Sequence, residues 1–205
     1  MQNQTKPKSV SIGQMKAYRF YVMYYVLSKL EDKVNRDPKV LSDILYLVNL
    51  ALQKHEKTLG YRFTQRQYYV GITDEDMPYD IDLLEQLGLI QRSSPLKVIR
   101  EPPNNKEDII RTLKNIYGEK ALEDIDRVCD KLKQVQTNII PYLSIFAFII
   151  SRSTLLNDTS DDLLRVFESS MKIKHDLLKT SLDILKDMPF DENILDKTRD
   201  LLAKL

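Results

Sequence analysis

The sequence predicts a mainly α protein, with a winged-helix-like N-terminal unit that carries a small β-hairpin and a helical bundle after it. Apolar residues recur every three or four positions along most of the 205 residues, which is the period of an amphipathic helix. One helical segment ends at Gly88 and leads into two short apolar runs separated by Ser93-Ser94-Pro95. That order is typical of the closing helix and hairpin of a winged helix. After the linker Glu101–Asn105 the pattern is helical throughout.

These patterns divide the chain into three parts. Residues 1–14 form a flexible tail, whose charges are Lys6 and Lys8. Residues 15–102 form the winged-helix-like domain, and residues 103–205 form a helical bundle domain packed on it.

Three segments build the first half of the N-terminal domain. A helix is predicted from about Met15 to Leu30, and a second from Pro38 to His55, with proline in its first turn. The second helix is apolar over a wide arc, so we expect it to be central. Gly60 ends the helical pattern. The following Tyr61–Val70 is rich in aromatic and β-branched residues and is predicted to be extended.

The second half of this domain begins with an acidic helix. Thr73-Asp74-Glu75-Asp76 is typical of a helix start, because acids favour the positive end of the helix dipole. The helix continues to Gly88, a C-terminal cap. Strands Leu89–Arg92 and Leu96–Arg100 then form the hairpin.

Six further helices are predicted after the linker. They are Lys106–Tyr117, Glu119–Val135, Asn138–Arg152, Ser160–Met171, Lys174–Lys186 and Asp191–Leu205. The apolar run Ile139–Ile150 is predicted to be the most deeply buried helix.

Residues 44–90 resemble the YwgA-like and Panacea-type families of prokaryotic helical proteins. Four stretches carry the resemblance: Ile44-Leu45-Tyr46-Leu47, Leu59-Gly60-Tyr61-Arg62-Phe63, Pro78-Tyr79-Asp80, and Leu83 to Ile90 with the sequence LLEQLGLI. The resemblance implies a winged-helix-like domain without established catalysis. Panacea-type members act as antitoxins that neutralise partner proteins, so an antitoxin-like role is one implication.

Composition and motifs favour a binding or regulatory protein over an enzyme. Cys129 is the only cysteine and lies at helical spacing with apolar residues, which predicts a core position. His55 and His175 lie in different halves, and no phosphate loop, nucleophile elbow or metal-ligand spacing is present. We therefore expect no catalytic residue, no metal and no cofactor.

The acidic helix is the most informative feature for function. Asp74, Glu75, Asp76, Asp80, Asp82 and Glu85 lie within 12 residues that contain no Lys or Arg. In a winged helix that reads DNA, this helix would enter the phosphate-lined major groove, where six carboxylates would repel the DNA. One interpretation is a docking face for a protein partner with a basic surface. The other is an ordinary solvated helix face.

A transcriptional regulator that binds DNA through its wing and its tail is the alternative function. Basic residues lie on the extended segment and the hairpin: Arg62, Arg66, Arg92, Lys97 and Arg100. Such a patch can contact a phosphate backbone, although the same charges can simply keep the strands soluble. The formal net charge of +1 means that any nucleic-acid binding would depend on this local patch.

The remaining expectations concern environment and assembly. No stretch reaches the roughly 20 apolar residues of a membrane span, and we expect a soluble, cytoplasmic protein. The C-terminal helices carry apolar stripes, which can pack on their own domain or form a homodimer.

Overall fold

The computed structural model describes residues 16, 18–67, 69–103, 106–156, 158–170 and 173–205. The N-terminal tail predicted at residues 1–14 lies outside the described residues.

The described chain is mainly α, as predicted. Its helices are α1 (Arg19–Arg36), α2 (Val40–Gln53), α3 (Met77–Gln86), α4 (Lys106–Tyr117), α5 (Glu119–Gln134), α6 (Ile140–Leu156), α7 (Ser160–Arg165), α8 (His175–Leu185) and α9 (Glu192–Ala203). A 3₁₀ turn at Thr137–Ile139 precedes α6, and a π-helical segment at Val166–Ser170 continues α7. The strands are β1 (Thr64–Gln65), β2 (Ile72–Thr73), β3 (Ile90–Gln91) and β4 (Lys97–Val98).

The predicted hairpin is confirmed. Strands β3 and β4 pair antiparallel, with Ile90 opposite Val98 and Gln91 opposite Lys97. Gly88 ends α3 with a positive φ of 66°, the left-handed conformation in which glycine avoids the Cβ clash. The chain therefore leaves α3 directly into the hairpin.

The segment between α2 and α3 differs from the prediction. Only Thr64 and Gln65 of the stretch 61–70 form a strand among its described residues, and they pair with Thr73 and Ile72 of β2. Thr73 is thus a strand residue, and α3 begins at Met77. Asp74 accepts the backbone N–H of Asp76 at 2.8 Å, which closes a turn before the helix starts.

Helix α2 is the centre of the fold. Every residue from Val40 to Leu52 is buried, because α1, α5, α6 and β2 all pack against it. The prediction that Ile139–Ile150 would be the most buried helix is wrong, since Tyr142, Phe148 and Ile149 on that helix are only partly buried.

The expectation that no stretch is apolar enough for a membrane span is wrong by composition alone, because Thr137–Leu156 has the required length and a mean hydropathy of 1.7 over a window that is half buried. Helix α6 packs on α2, α8 and α9. This position is that of a core helix.

The apolar stripes of the C-terminal helices are used inside the chain. Leu178, Leu182 and Leu185 of α8 are buried, as are Ile194, Leu195 and Leu201 of α9. These side chains belong to the same cluster of buried residues as the core of the first half. Much of these stripes is therefore packed inside the protein, while Leu177 and Leu202 are only partly buried. The homodimer stays a prediction.

Candidate binding surface at helix α3 and the hairpin

Two of the six acidic residues predicted as a docking face are buried. Asp80 is almost inaccessible because its Oδ2 accepts a hydrogen bond from the Tyr61 hydroxyl at 2.5 Å and from the Arg19 Nε at 2.5 Å. The Arg19 guanidinium also stacks over the Tyr61 ring, 4.3 Å from its centroid. Asp80 therefore joins α3 to α1 and cannot contact a partner.

Burial and the Asp80 carboxylate raise the pKa of the Tyr61 hydroxyl well above its usual range. Burial alone would lower the pKa of Arg19, but the hydrogen bond and charge of Asp80 raise it. Both donors thus keep their protons at physiological pH.

Asp74 is the second buried acid. Its Oδ2 accepts the backbone N–H of Arg62 at 2.5 Å, and its Oδ1 accepts that of Asp76. It fixes the loop that enters α3, which is a structural role. Asp76 is more than half exposed and lies 3.5 Å from Arg19 Nη2.

Asp82 and Glu85 remain accessible but share one cation. The Arg92 side chain, from the hairpin, pairs with Asp82, and its Nε lies 3.3 Å from Glu85 Oε2. Glu85 also accepts the Arg92 backbone N–H at 3.1 Å. All three side chains are about half exposed, so water screens the pairs and each contributes little to stability.

The accessible part of the predicted acidic face is therefore smaller than the sequence suggested. It consists of Glu75, Asp76, Asp82 and Glu85, all exposed. Glu75 has no ion pair with any residue that the structure describes.

Three of the five predicted basic residues are engaged within the protein. Arg66 pairs with Asp43 at 2.8 Å, and Arg92 pairs with Asp82 and Glu85. Arg100 pairs with Glu31 at 2.6 Å and donates to the Ser28 carbonyl. Of the five predicted basic residues, Arg62 and Lys97 are exposed and have no ion pair with any described residue. Three of the five positive charges are therefore balanced by acids of the same chain.

Arg66 belongs to a buried hydrogen-bond network that was not predicted from the sequence. Asp43, on α2, is fully buried. Its carboxylate accepts hydrogen bonds from the Ser144 hydroxyl and the Ile72 backbone N–H, both at 2.6 Å, besides the ion pair with Arg66. One carboxylate thus links α2, the β1–β2 segment and α6. The only sequence signal is an acid inside the most apolar helix.

Burial sets the protonation of this group. It raises the pKa of Asp43 to about 6, against the opposing effects of Ser144, the Ile72 amide and Arg66. The network also requires glycine at position 71. There φ is +121°, and a Cβ would lie 2.6 Å from Asp43 Oδ1 and 2.7 Å from Arg66 Nη1.

An apolar groove lies beside the accessible acids, between the start of α2, helix α3 and the hairpin. It has a volume of about 350 Å³. The groove is lined by Val34, Asn35, Pro38, Leu41, Pro78, Ile81, Arg92, Ser93, Ser94, Pro95 and Leu96. A smaller depression of about 170 Å³ adjoins it and shares Pro38, Leu41, Pro78 and Ile81.

Helix α3 carries charged side chains and an exposed aromatic ring in addition to the two residues that line the groove. Asp82 and Glu85 flank Ile81 on α3, and Arg92 lines the groove itself. Tyr79, which follows the groove residue Pro78 on α3, is 72% exposed. We call the groove with Tyr79 and the four accessible acids the helix–hairpin surface.

Cys129 and His55 contact other parts of the protein, away from this surface. Cys129 is buried, as predicted, and burial raises the pKa of its thiol to about 12. His55 Nε2 lies 2.9 Å from Asp124 Oδ2 in a cluster that also contains Lys54 and Arg127. Within the described part of the chain, no group of three His, Cys, Asp or Glu side chains could hold a metal ion.

In comparisons with known proteins, no family model, no curated protein and no solved structure matches the chain.

Proposed function

We propose that this protein is a non-catalytic regulatory or adaptor protein, in the cytoplasm, that binds a partner protein through the helix–hairpin surface. The observation that carries the proposal is the apolar groove of about 350 Å³ bounded by Pro78 and Ile81. An accessible apolar groove with a polar rim is typical of protein–protein contact, where a few anchor side chains supply most of the binding energy.

The rim chemistry favours a partner whose apolar anchor is flanked by Lys or Arg. Asp82 and Glu85 share the single Arg92 guanidinium, so their charges are only partly balanced. Glu75 and Asp76 add two exposed carboxylates at the start of α3. Complementary charges at a rim mainly guide association and select the partner, while the groove itself provides the buried contact.

The winged-helix-like order of α3 and the hairpin fits this proposal. In an antitoxin-like role, as the family resemblance implies, the partner would be a toxin that the protein neutralises. The DNA-binding alternative receives less support, because Arg66, Arg92 and Arg100 are held by internal acids.

Affinity capture from cells of the source organism tests the proposal. Wild-type protein is compared with Asp82→Lys/Glu85→Lys, which reverses the rim charge, and with Ile81→Ser, which makes the groove polar. The matched control is Glu123→Lys/Asp176→Lys, at two exposed acids that do not line the groove. We expect wild type and control to retain the same partner and both groove variants to lose it. Retention of that partner by both groove variants would refute the proposal.

A further inference from the structure

A second cleft lies on a different part of the molecule, where the end of α2 meets the end of α6 and the start of α9. Its volume is about 750 Å³. It is lined by Tyr46, Leu50, Gln53, Ser151, Thr154, Leu155, Asp191, Asn193, Ile194, Asp196, Lys197 and Asp200. It shares no residue with the helix–hairpin surface.

The cleft has an apolar component that the fold leaves uncovered. Leu155 lines it and is 83% exposed, and the next residue, Leu156, is 72% exposed. Both leucine side chains therefore lie mostly in solvent. The buried Leu50 and Ile194 continue the apolar lining inward. An incoming apolar side chain would therefore be in contact with apolar side chains of α2, α6 and α9.

The charged lining of the cleft is predominantly negative. Three carboxylates face one ammonium group, that of Lys197, which donates to the Asp158 carbonyl oxygen. Asp196 pairs with Arg199 at 2.8 Å, whereas Asp200 has no ion pair within the described chain. The cleft thus retains acceptor capacity for an external cation.

The spacing of these acids matches a helical ligand. Asp196 and Asp200 are four residues apart on α9, so their side chains lie one turn apart on the same face. Lys or Arg residues one turn apart on a second helix have the same spacing. When a groove binds an amphipathic helix, the contacting side chains of the helix recur every three or four residues.

We propose that this cleft is a second docking surface, and that it binds an amphipathic helix of a partner protein with leucine-type residues on one side and Lys or Arg on the other. The apolar side packs on Leu155, Leu50 and Ile194. The cationic side pairs with Asp196 and Asp200. This site is separate from the proposed function, so either can fail without the other.

Synthetic peptides of defined sequence test the proposal. The probe is a fluorescent peptide of 12 residues, the length of α9, with Leu and Lys arranged as an amphipathic helix. Two comparison peptides replace every Lys by Glu or every Leu by Ser. We expect fluorescence anisotropy to show saturable binding of the Leu/Lys peptide only. Equal binding of the Ser/Lys peptide would overturn the proposal, because charge alone would then explain the interaction.

Variants of the protein locate the binding. Asp196→Asn/Asp200→Asn should weaken the Leu/Lys peptide about tenfold, from the loss of two exposed charge pairs, and Leu155→Ser should weaken it severalfold. The matched control, Asp32→Asn/Glu101→Gln, neutralises two exposed acids outside the cleft and should bind like wild type. Unchanged affinity in the cleft variants would overturn the proposal. Loss of binding in Asp82→Asn/Glu85→Gln instead would place the peptide at the helix–hairpin surface and would also overturn it.

Discussion

The buried carboxylate of Asp43 should make the stability of the fold depend on pH in an unusual direction. Burial raises its pKa to about 6 in the folded protein, from an ordinary value of 3.8. The folded state therefore binds this proton more tightly than the unfolded state does. The contribution of Asp43 to stability is fully present below about pH 4 and is lost as the pH rises through 6.

The size of this effect follows from the shift. At 1.36 kcal/mol per pKa unit, the shift of Asp43 from 3.8 to about 6 corresponds to about 3 kcal/mol. The perturbation is Asp43→Asn, which is nearly the same shape and does not titrate. The two proteins share every other titrating group, so those contributions largely cancel in the difference between their unfolding free energies.

Urea unfolding of wild type and Asp43→Asn at pH 4, 5, 6 and 7 measures this difference. We expect the stability of wild type relative to Asp43→Asn to fall by about 2 kcal/mol between pH 4 and 7, because part of the total effect is already lost at pH 4. Asp32→Asn, at an exposed acid, should give a nearly constant difference. A relative stability that rises with pH would refute the reasoning, because it would mean that Arg66 outweighs burial and lowers the pKa of Asp43.

Three further outcomes follow from the same contacts. Gly71→Ala should cost about 1–3 kcal/mol of unfolding free energy. Gly118→Ala is the control and should cost clearly less, because Gly118 also has a positive φ but an added Cβ there meets nothing within 4 Å. Equal costs would contradict the close approach of residue 71 to Asp43. Tyr61→Phe should cost about 1.5–3 kcal/mol in chemical denaturation, because Asp80 loses a donor at 2.5 Å, and an unchanged midpoint would contradict that contact. A mobility-shift assay at low salt should show no DNA complex, since three of the five basic residues are paired internally. A complex that Lys97→Ala weakens would instead favour the alternative function, a DNA-binding transcriptional regulator.

The sequence predicted the helices well because their signal is local. The helix that ends at Tyr117 was predicted with the C-terminal bound that the structure shows, since apolar spacing and the following Gly118 define that end locally. The hairpin after Gly88 was predicted for the same reason, because its turn residues and short apolar runs are contiguous.

Contacts between distant residues could not be predicted in this way. Strands β1 and β2 are two residues long, too short for an alternating pattern. Asp80 looked like a surface acid because its partner Arg19 is 61 residues away in the sequence. The pairing of Asp43 with Ser144 spans 101 residues. An acid's own neighbours do not indicate whether it faces solvent or a buried cation.

This limit explains the revision of the docking face. The sequence shows six acids on one segment. In the structure, two of them are buried against other residues and four are exposed. Asp74 and Asp80 support the fold, while Glu75, Asp76, Asp82 and Glu85 remain at the surface. The apolar groove beside them arises from residues of α1, α2, α3 and the hairpin, and no single segment reveals it.

Site-specific photo-crosslinking in cells of the source organism tests the central claim most directly. A photoreactive amino acid replaces Tyr79, the exposed aromatic residue of the helix–hairpin surface, or Glu123, an exposed residue outside that surface. The account predicts a covalent adduct with one protein from position 79, absent from position 123 and reduced by Asp82→Lys/Glu85→Lys. No protein adduct from position 79, or the same adduct from both positions, would contradict it.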